Sequence, residues 1–192
     1  MDDDQTAEQP SPPEDGFMTL DLPDETGGQT PSELGISPTA LAHLTHYYTE
    51  RARLDHDATL LRFDEDLAQI AVAHSRDMRT REYLGHESPE GDNVGERLDR
   101  FQYAPPESER RGVRFGENIA RNAYRVPVES DGRHINHTVE DVAAHVVDQW
   151  LDSPGHRENL LDPTWAREGI GVAFHPHRSG AFVFVTQVFS DV

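Results

Sequence analysis

Eleven of the 192 residues are histidine. Histidine is the side chain here best suited to chemistry, because it titrates near neutral pH and its imidazole is the commonest metal ligand. Three pairs are close enough in sequence to share an ion: His43/His46, His134/His137 and His175/His177. The same spacing is ordinary on loops and helix surfaces, and we read all three pairs as surface residues. His74 interrupts an apolar helical stripe and reads as a hydrogen-bonded histidine at the edge of the core. Cysteine is absent, which removes disulfides, thiolate metal sites and a thiol nucleophile. No HExxH, P-loop, GxGxxG or GxSxG string occurs. Ser153 and His156 are near neighbours, but no residue reads as the orienting third member of a triad. Any binding or catalytic group is therefore assembled from residues distant in sequence.

The elements that must position such residues follow from capping and periodicity. Ser37-Pro38 opens a helix, with Ser as N-cap and Pro at the first helical position, and Leu41, Leu44, Tyr48 and Ala52 carry it to about Leu54. Asp64 caps a second helix, in which Leu67, Ile70, Ala71, His74, Met78 and Arg81 step by threes and fours; Gly85 is expected to end it. A short helical piece falls around Val94 to Phe101. The stretch VRFGENIARNAY, residues 113–124, reads equally as a strand with a Gly kink or as the turn into a helix. Thr138 caps a third helix with Asp141 reaching back; Val139, Val142, Ala143, Val146, Val147, Trp150 and Leu151 form its core face, and Ser153-Pro154-Gly155 breaks it. HRENLLD makes one or two turns, closed by Pro163. Two strands, Gly169 to Phe174 and Ala181 to Phe189, finish the chain around the loop HPHRSGA. Helices first and an antiparallel hairpin last define an α+β class.

Composition narrows the partners. Against 36 acidic residues stand 17 basic ones, a net charge of -19, and this balance argues against nucleic acid. No apolar run is long enough for a membrane-spanning helix. All 17 basic residues are Arg. A lysine-free, acid-rich surface fits molar salt, where the Debye length shrinks to about 3 Å and carboxylates repel weakly; we therefore expect a halophilic protein. Residues 1–36 hold acids, scattered prolines and no base, and read as a disordered acidic tail whose only apolar patch is FMTLDL. Residues 37–192 then form one folded domain. No secretory signal is visible, so the cytoplasm is the default location. Asn136-His137-Thr138 is a glycosylation sequon that only an exported chain would use.

Four stretches occur in a telling order: AVAHSRDMRTREYLGHESPEG at 71–91, Gly116-Glu117-Asn118-Ile119-Ala120, QWLDSPGHRENLLDP at 149–163, and EGIGVAF followed by FVTQVFS. Together they resemble the CAP superfamily of cysteine-rich secretory, antigen 5 and pathogenesis-related 1 proteins, also called the SCP domain. The resemblance spans about residues 40–190, and Ser-Pro-Gly-His-Arg is similar to the microbial, cysteine-free branch. It implies an α-β-α sandwich with a three-stranded antiparallel sheet between helices, and it favours a strand around 115–122. It also implies a central cavity lined by two His and one or two Glu that can hold a divalent ion. Matched motif by motif, these are His86, Glu117 and His156, with Asn118 beside them. The second cavity Glu of animal and plant members falls at Asp152-Ser153, so the set is incomplete or Asp152 substitutes. Two imidazoles and a carboxylate would leave Zn²⁺ or another divalent cation an open position for water.

The resemblance implies a non-enzymatic binding module, for a small hydrophobic ligand such as a sterol or lipid, an envelope component or a protein partner. The alternatives are a divalent-metal-dependent hydrolase or protease with Glu117 as base, and a scaffold whose acidic tail makes contacts. Most family members are exported, which makes an extracellular location the alternative to the cytoplasm.

Overall fold

The computed structural model describes residues 17–22, 25, 27–104, 112–126 and 136–192. The first sixteen residues of the expected tail, and His134, lie outside these described residues. Part of that tail is not a free chain. Phe17–Thr19 forms strand β1, antiparallel to residues Tyr83–Gly85, and the Phe17 ring stacks on Tyr83 with centroids 5.3 Å apart. Leu20, Leu22, Leu34 and Ile36 are buried. Each fully buried Leu contributes about 1.5–3 kcal/mol, so the apolar residues of FMTLDL outweigh the local excess of acid. The expectation of disorder through residue 36 is corrected to that extent.

Helix α1 (Pro38–Asp55) starts at Ser37, whose Oγ accepts from Ala40 N at 3.3 Å. A two-residue strand β2 (Arg62–Phe63) leads to Asp64, whose Oδ1 accepts from the amides of Asp66 and Leu67 at 3.0 Å and caps α2 (Glu65–Arg81). That helix ends at Glu82, in the left-handed region at φ 56°, and not at Gly85. The cause is tertiary: Tyr83 is only 1% exposed, and the chain must leave the helix ahead of it to enter strand β3 (Tyr83–Gly85) beside β1. Asn93 and Glu96 form a capping box for the short helix α3 (Val94–Arg100). Residues Phe115–Tyr124 are strand β4, which settles the ambiguity of VRFGENIARNAY. A Thr138–Asp141 capping box opens α4 (Val139–Asp152), the chain breaks at Ser153, and Pro154–Leu161 is α5. Strands β5 (Arg167–His177) and β6 (Gly180–Ser190) pair as a hairpin around Arg178-Ser179, a tighter connection than the loop HPHRSGA suggested.

The main sheet has four strands in the order β2-β5-β6-β4, and β1-β3 is a separate pair. The three long antiparallel strands match the expected sheet; β2 adds parallel to β5 at one edge, and β4 is the other edge. Alternation along the strands sorts the layers. Ile170, Val172, Phe174, Val183 and Val185 pack with α1, α4 and α5 side chains. Ala173, Phe184 and Ile119 pack with Met78 of α2, and Val188 packs with its Leu67, Ile70 and Ala71. The sheet therefore lies between α2 and the other long helices. The EGIGVAF string sets that spacing: a Cβ on Gly171 would stand 2.0 Å from Val72 N, and one on Gly169 2.1 Å from Ala68 N. Only glycine lets α2 approach the strand so closely.

Candidate functional site

β4 carries the Gly-Glu-Asn string on an edge strand. Successive residues there point to opposite faces, so Glu117 turns towards α2 while Asn118 turns towards α5. Gly116 fits because the Trp165 ring lies where a side chain would go, 2.8 Å from a built Cβ. Glu117 Oε1 accepts from His86 Nδ1 at 3.0 Å, and Oε2 accepts from Arg97 Nη2 at 2.5 Å. His74 Nε2 lies 3.7 Å from Glu117 Oε1 and donates to Gly85 O at 3.0 Å. The His86 and His156 rings stand 5.6 Å apart, centroid to centroid. The side chain of His86 is 41% exposed while that of Glu117 is 4% exposed, so an imidazole faces outward with a carboxylate fixed behind it.

Asn118 is wholly buried; its Nδ2 donates to His156 O and to Gln187 Oε1, each at 3.1 Å. It holds the first turn of α5, and with it His156, against the sheet. Asn159 ties α5 to β4 as well, donating to Glu117 O at 3.0 Å. Trp150 is core, as its helical position predicted, with its indole N–H donating to Ile119 O at 2.9 Å. Asp152 is exposed, and among the described residues no hydrogen bond or ion pair brings it to this group. Among the described residues, Ser153 makes no side-chain capping hydrogen bond to α5.

Burial works to raise the Glu117 pKa, but the His86 hydrogen bond and the charges of His74, Arg97 and His86 outweigh it and hold the carboxyl below its usual range. Burial pushes His156 down to about 4, helped by His86 and opposed by Glu117. Burial likewise brings His74 to about 4. At neutral pH the group is thus an ionised Glu117 paired with Arg97, flanked by neutral His74 and His156. Sequence reasoning missed His74 as a member, placing it only at the core edge, and missed Arg97 altogether. Arg97 also donates to Asp92 O at 2.7 Å and His86 O at 3.0 Å, so one guanidinium fixes the loop that carries His86.

The resemblance supplied a three-ligand metal set, and the geometry alters it. Both Glu117 oxygens are engaged, one by His86 and one by Arg97. Each oxygen of Glu117 thus carries one hydrogen bond and keeps a second lone pair. Among the described residues, the group of His and carboxylate side chains whose ligand atoms all lie within 4.8 Å of one another is instead His46, Glu50 and Glu168. His46 therefore turns to Glu168 rather than sharing a ligand with His43, whose ring packs on Phe63. His175 departs from the surface reading: it is buried, with Nδ1 3.3 Å from Glu25 Oε1. His177 pairs with Ser179 Oγ at 2.9 Å. The sequon asparagine is structural, since buried Asn136 donates to Asn122 Oδ1 and Ala123 O at 2.7 Å.

Comparison with known proteins places this chain in a family. The cysteine-rich secretory protein (CAP) family model matches residues 46–189, and the chain belongs to that family. It is 30% identical over 128 residues to an uncharacterised membrane protein of Bacillus subtilis, YlbC, covering 65% of this chain and 29% of the relative. It is also 30% identical over 114 residues to YkwD, an uncharacterised protein of the same organism, covering 58% of this chain and 34% of the relative. The match thus spans about a third of either relative's length. An extracellular SCP-domain protein of Bacillus anthracis superposes with a TM-score of 0.61 at 27% identity, over 84% of this chain and 43% of that one. An outer surface protein of Borrelia burgdorferi shares the fold at 17% identity, with a TM-score of 0.56 over 81% and 95%. No helix among the described residues is long and apolar enough to cross a membrane.

Proposed function

We propose that this CAP domain is a non-enzymatic binding module, working outside the cell, that offers His86 and His156 to its ligand with Glu117 fixed behind them. The observation that carries this reading is the engagement of Glu117. A hydrolytic mechanism needs that carboxylate free to take a proton from an attacking water. Here each oxygen accepts a hydrogen bond, from His86 or from Arg97, and the carboxyl is held below its usual range, which makes it a weak base. What remains is recognition. With Nδ1 turned to Glu117, His86 points Nε2 outward, and beside it His156 is a neutral imidazole. Such ring nitrogens suit hydroxyl or amide groups, as on a sterol, a lipid headgroup, an envelope glycan or a protein partner. Support for an extracellular place comes from the Bacillus anthracis and Borrelia neighbours, described as extracellular and outer surface proteins.

The test uses the full chain in molar KCl, with cholesterol-bearing phosphatidylcholine vesicles and purified cell-wall sacculi as probes. Binding to one probe is expected, with His86→Ala and His156→Ala each weakening it by about tenfold or more, roughly 1.4 kcal/mol. EDTA should leave that binding unchanged. Peptide or ester hydrolysis that EDTA abolishes and Glu117→Gln removes would overturn the reading in favour of a metal hydrolase.

A further inference from the structure

On the opposite face of the sheet, helix periodicity puts His46 and Glu50 one turn apart on α1. Strand alternation aims Glu168 of β5 at the same spot, alongside Ile170 and Val172. His46 Nδ1 is in close contact with Glu168 Oε1, and the ligand atoms of all three side chains lie within 4.8 Å of one another. Each residue is held from behind. Gln187 Nε2 donates to Glu168 Oε2 and to Thr49 Oγ1. Leu61 N donates to Glu50 Oε1 at 3.0 Å. The His46 ring stands edge-on to Phe63, 5.3 Å between centroids. Such outer hydrogen bonds and packing are what fix ligand orientation around a metal.

The charges here are unbalanced. Two carboxylates meet one imidazole, and Glu168 is 0% exposed. Arg53 of α1 lends charge to both carboxylates but its hydrogen bonds go elsewhere: Nε donates to Thr59 O at 2.6 Å, Nη1 to Leu160 O at 2.7 Å and Nη2 to Asp162 O at 3.1 Å. Among the described residues, His46–Glu168 is the ion pair that reaches either carboxylate. Buried charge of this kind is normally paired or bound to a metal. We propose that His46, Glu50 and Glu168 form a divalent-cation site, for Zn²⁺ or Mn²⁺, that ties α1 to β5. One imidazole with two carboxylates is a donor set both ions accept. Ligand atoms around a tetrahedral Zn²⁺ at about 2.1 Å are roughly 3.4 Å apart, so small side-chain rotations close the group. His46 and Glu50 are only half-buried, which leaves a way in from solvent.

The experiment separates this site from the β4 edge. Untagged full-length protein carrying His86→Ala and His156→Ala is stripped with EDTA, dialysed and titrated calorimetrically with ZnCl₂ and with MnCl₂. One equivalent of at least one cation should bind, and Tm should rise by roughly 5–10 °C at a hundredfold excess over Kd. Glu50→Gln and His46→Gln, each added to that background, should weaken binding at least tenfold. Glu50→Gln keeps an acceptor for Leu61 N, and His46→Gln decides the matter if the first variant does not fold. Absence of saturable binding by either cation, or binding that both substitutions leave unchanged, overturns the proposal.

Discussion

The two faces of one sheet carry two histidine–carboxylate groups with opposite electrostatic settings. At the β4 edge, buried Glu117 has an arginine, Arg97, and its neighbours His74 and His156 are driven towards neutrality. Behind α1, no arginine among the described residues bonds to buried Glu168, and Arg53 acts on it through charge alone. There, burial pushes His46 down, but the Glu168 hydrogen bond and charge, with the Glu50 charge, push it up and win. Residue type is the same in the two places; the committed cation decides the chemistry. A carboxylate closed by arginine becomes a fixed acceptor that orients an imidazole, while carboxylates without one can take a metal. One amide joins the regions, since Gln187 accepts from Asn118 on one side and donates to Glu168 on the other.

Removing the arginine should break the contrast most strongly. Arg97→Leu leaves Glu117 as an uncompensated buried charge and should cost about 3–5 kcal/mol by urea unfolding. Because the pair is buried, molar KCl should not restore that loss. A cost under about 1 kcal/mol would mean that Arg97 does not close the edge site.

Acid should act next. His74 has a folded pKa of about 4 against the ordinary 6.5 of a histidine. Between these values the unfolded chain binds the proton and the folded chain does not, so stability falls as pH drops from 6.5 towards 4. The loss should be on the order of 3 kcal/mol for this buried ring; His156, shifted the same way, adds to it, so His74→Gln should make the pH profile shallower in that window without removing its slope. Glu117, whose pKa is lowered, adds a loss of the same sign below its ordinary value of 4.5.

Smaller effects sharpen the comparison. Gln187→Leu strips partners from Asn118 and Glu168 together and should cost about 1–3 kcal/mol. Rising KCl should lift Tm of the whole chain by roughly 2–4 °C, since screening relieves the repulsion among surface carboxylates. A flat or falling Tm would count against the halophilic expectation drawn from the net charge of -19. Smallest of all, Glu50→Gln in chelator should change stability by less than about 1 kcal/mol, because the amide oxygen replaces the acceptor for Leu61 N.

Sequence reading succeeded where the cause was local. The caps at Ser37, Asp64 and Thr138 are short strings that act on their own backbone, and each marks a helix start in the structure. It failed where distant residues decided. Gly85 looked like a helix stop, yet the burial of Tyr83 ended α2 earlier, at a left-handed Glu82. β4 was ambiguous because Glu117 through Ala120 are buried in succession, which erases the alternation that marks a half-exposed strand. The motifs marked His86, Glu117, His156 and Asn118, but Arg97 meets Glu117 across 20 residues and no local string announces that pairing. A faint signal existed: Arg97 sits beside buried Leu98 on a capped helix, so its charge had to find an acid. Glu50 and Glu168 went unnoticed because their proximity arises only when α1 lies across β5.

The most direct test is anomalous diffraction from crystals of the unmodified full chain soaked in Zn²⁺. The account predicts a peak among His46, Glu50 and Glu168, with Glu117 still bonded to Arg97 and His86. A peak between His86 and His156 with Glu117 as a third ligand, and none behind α1, would contradict it.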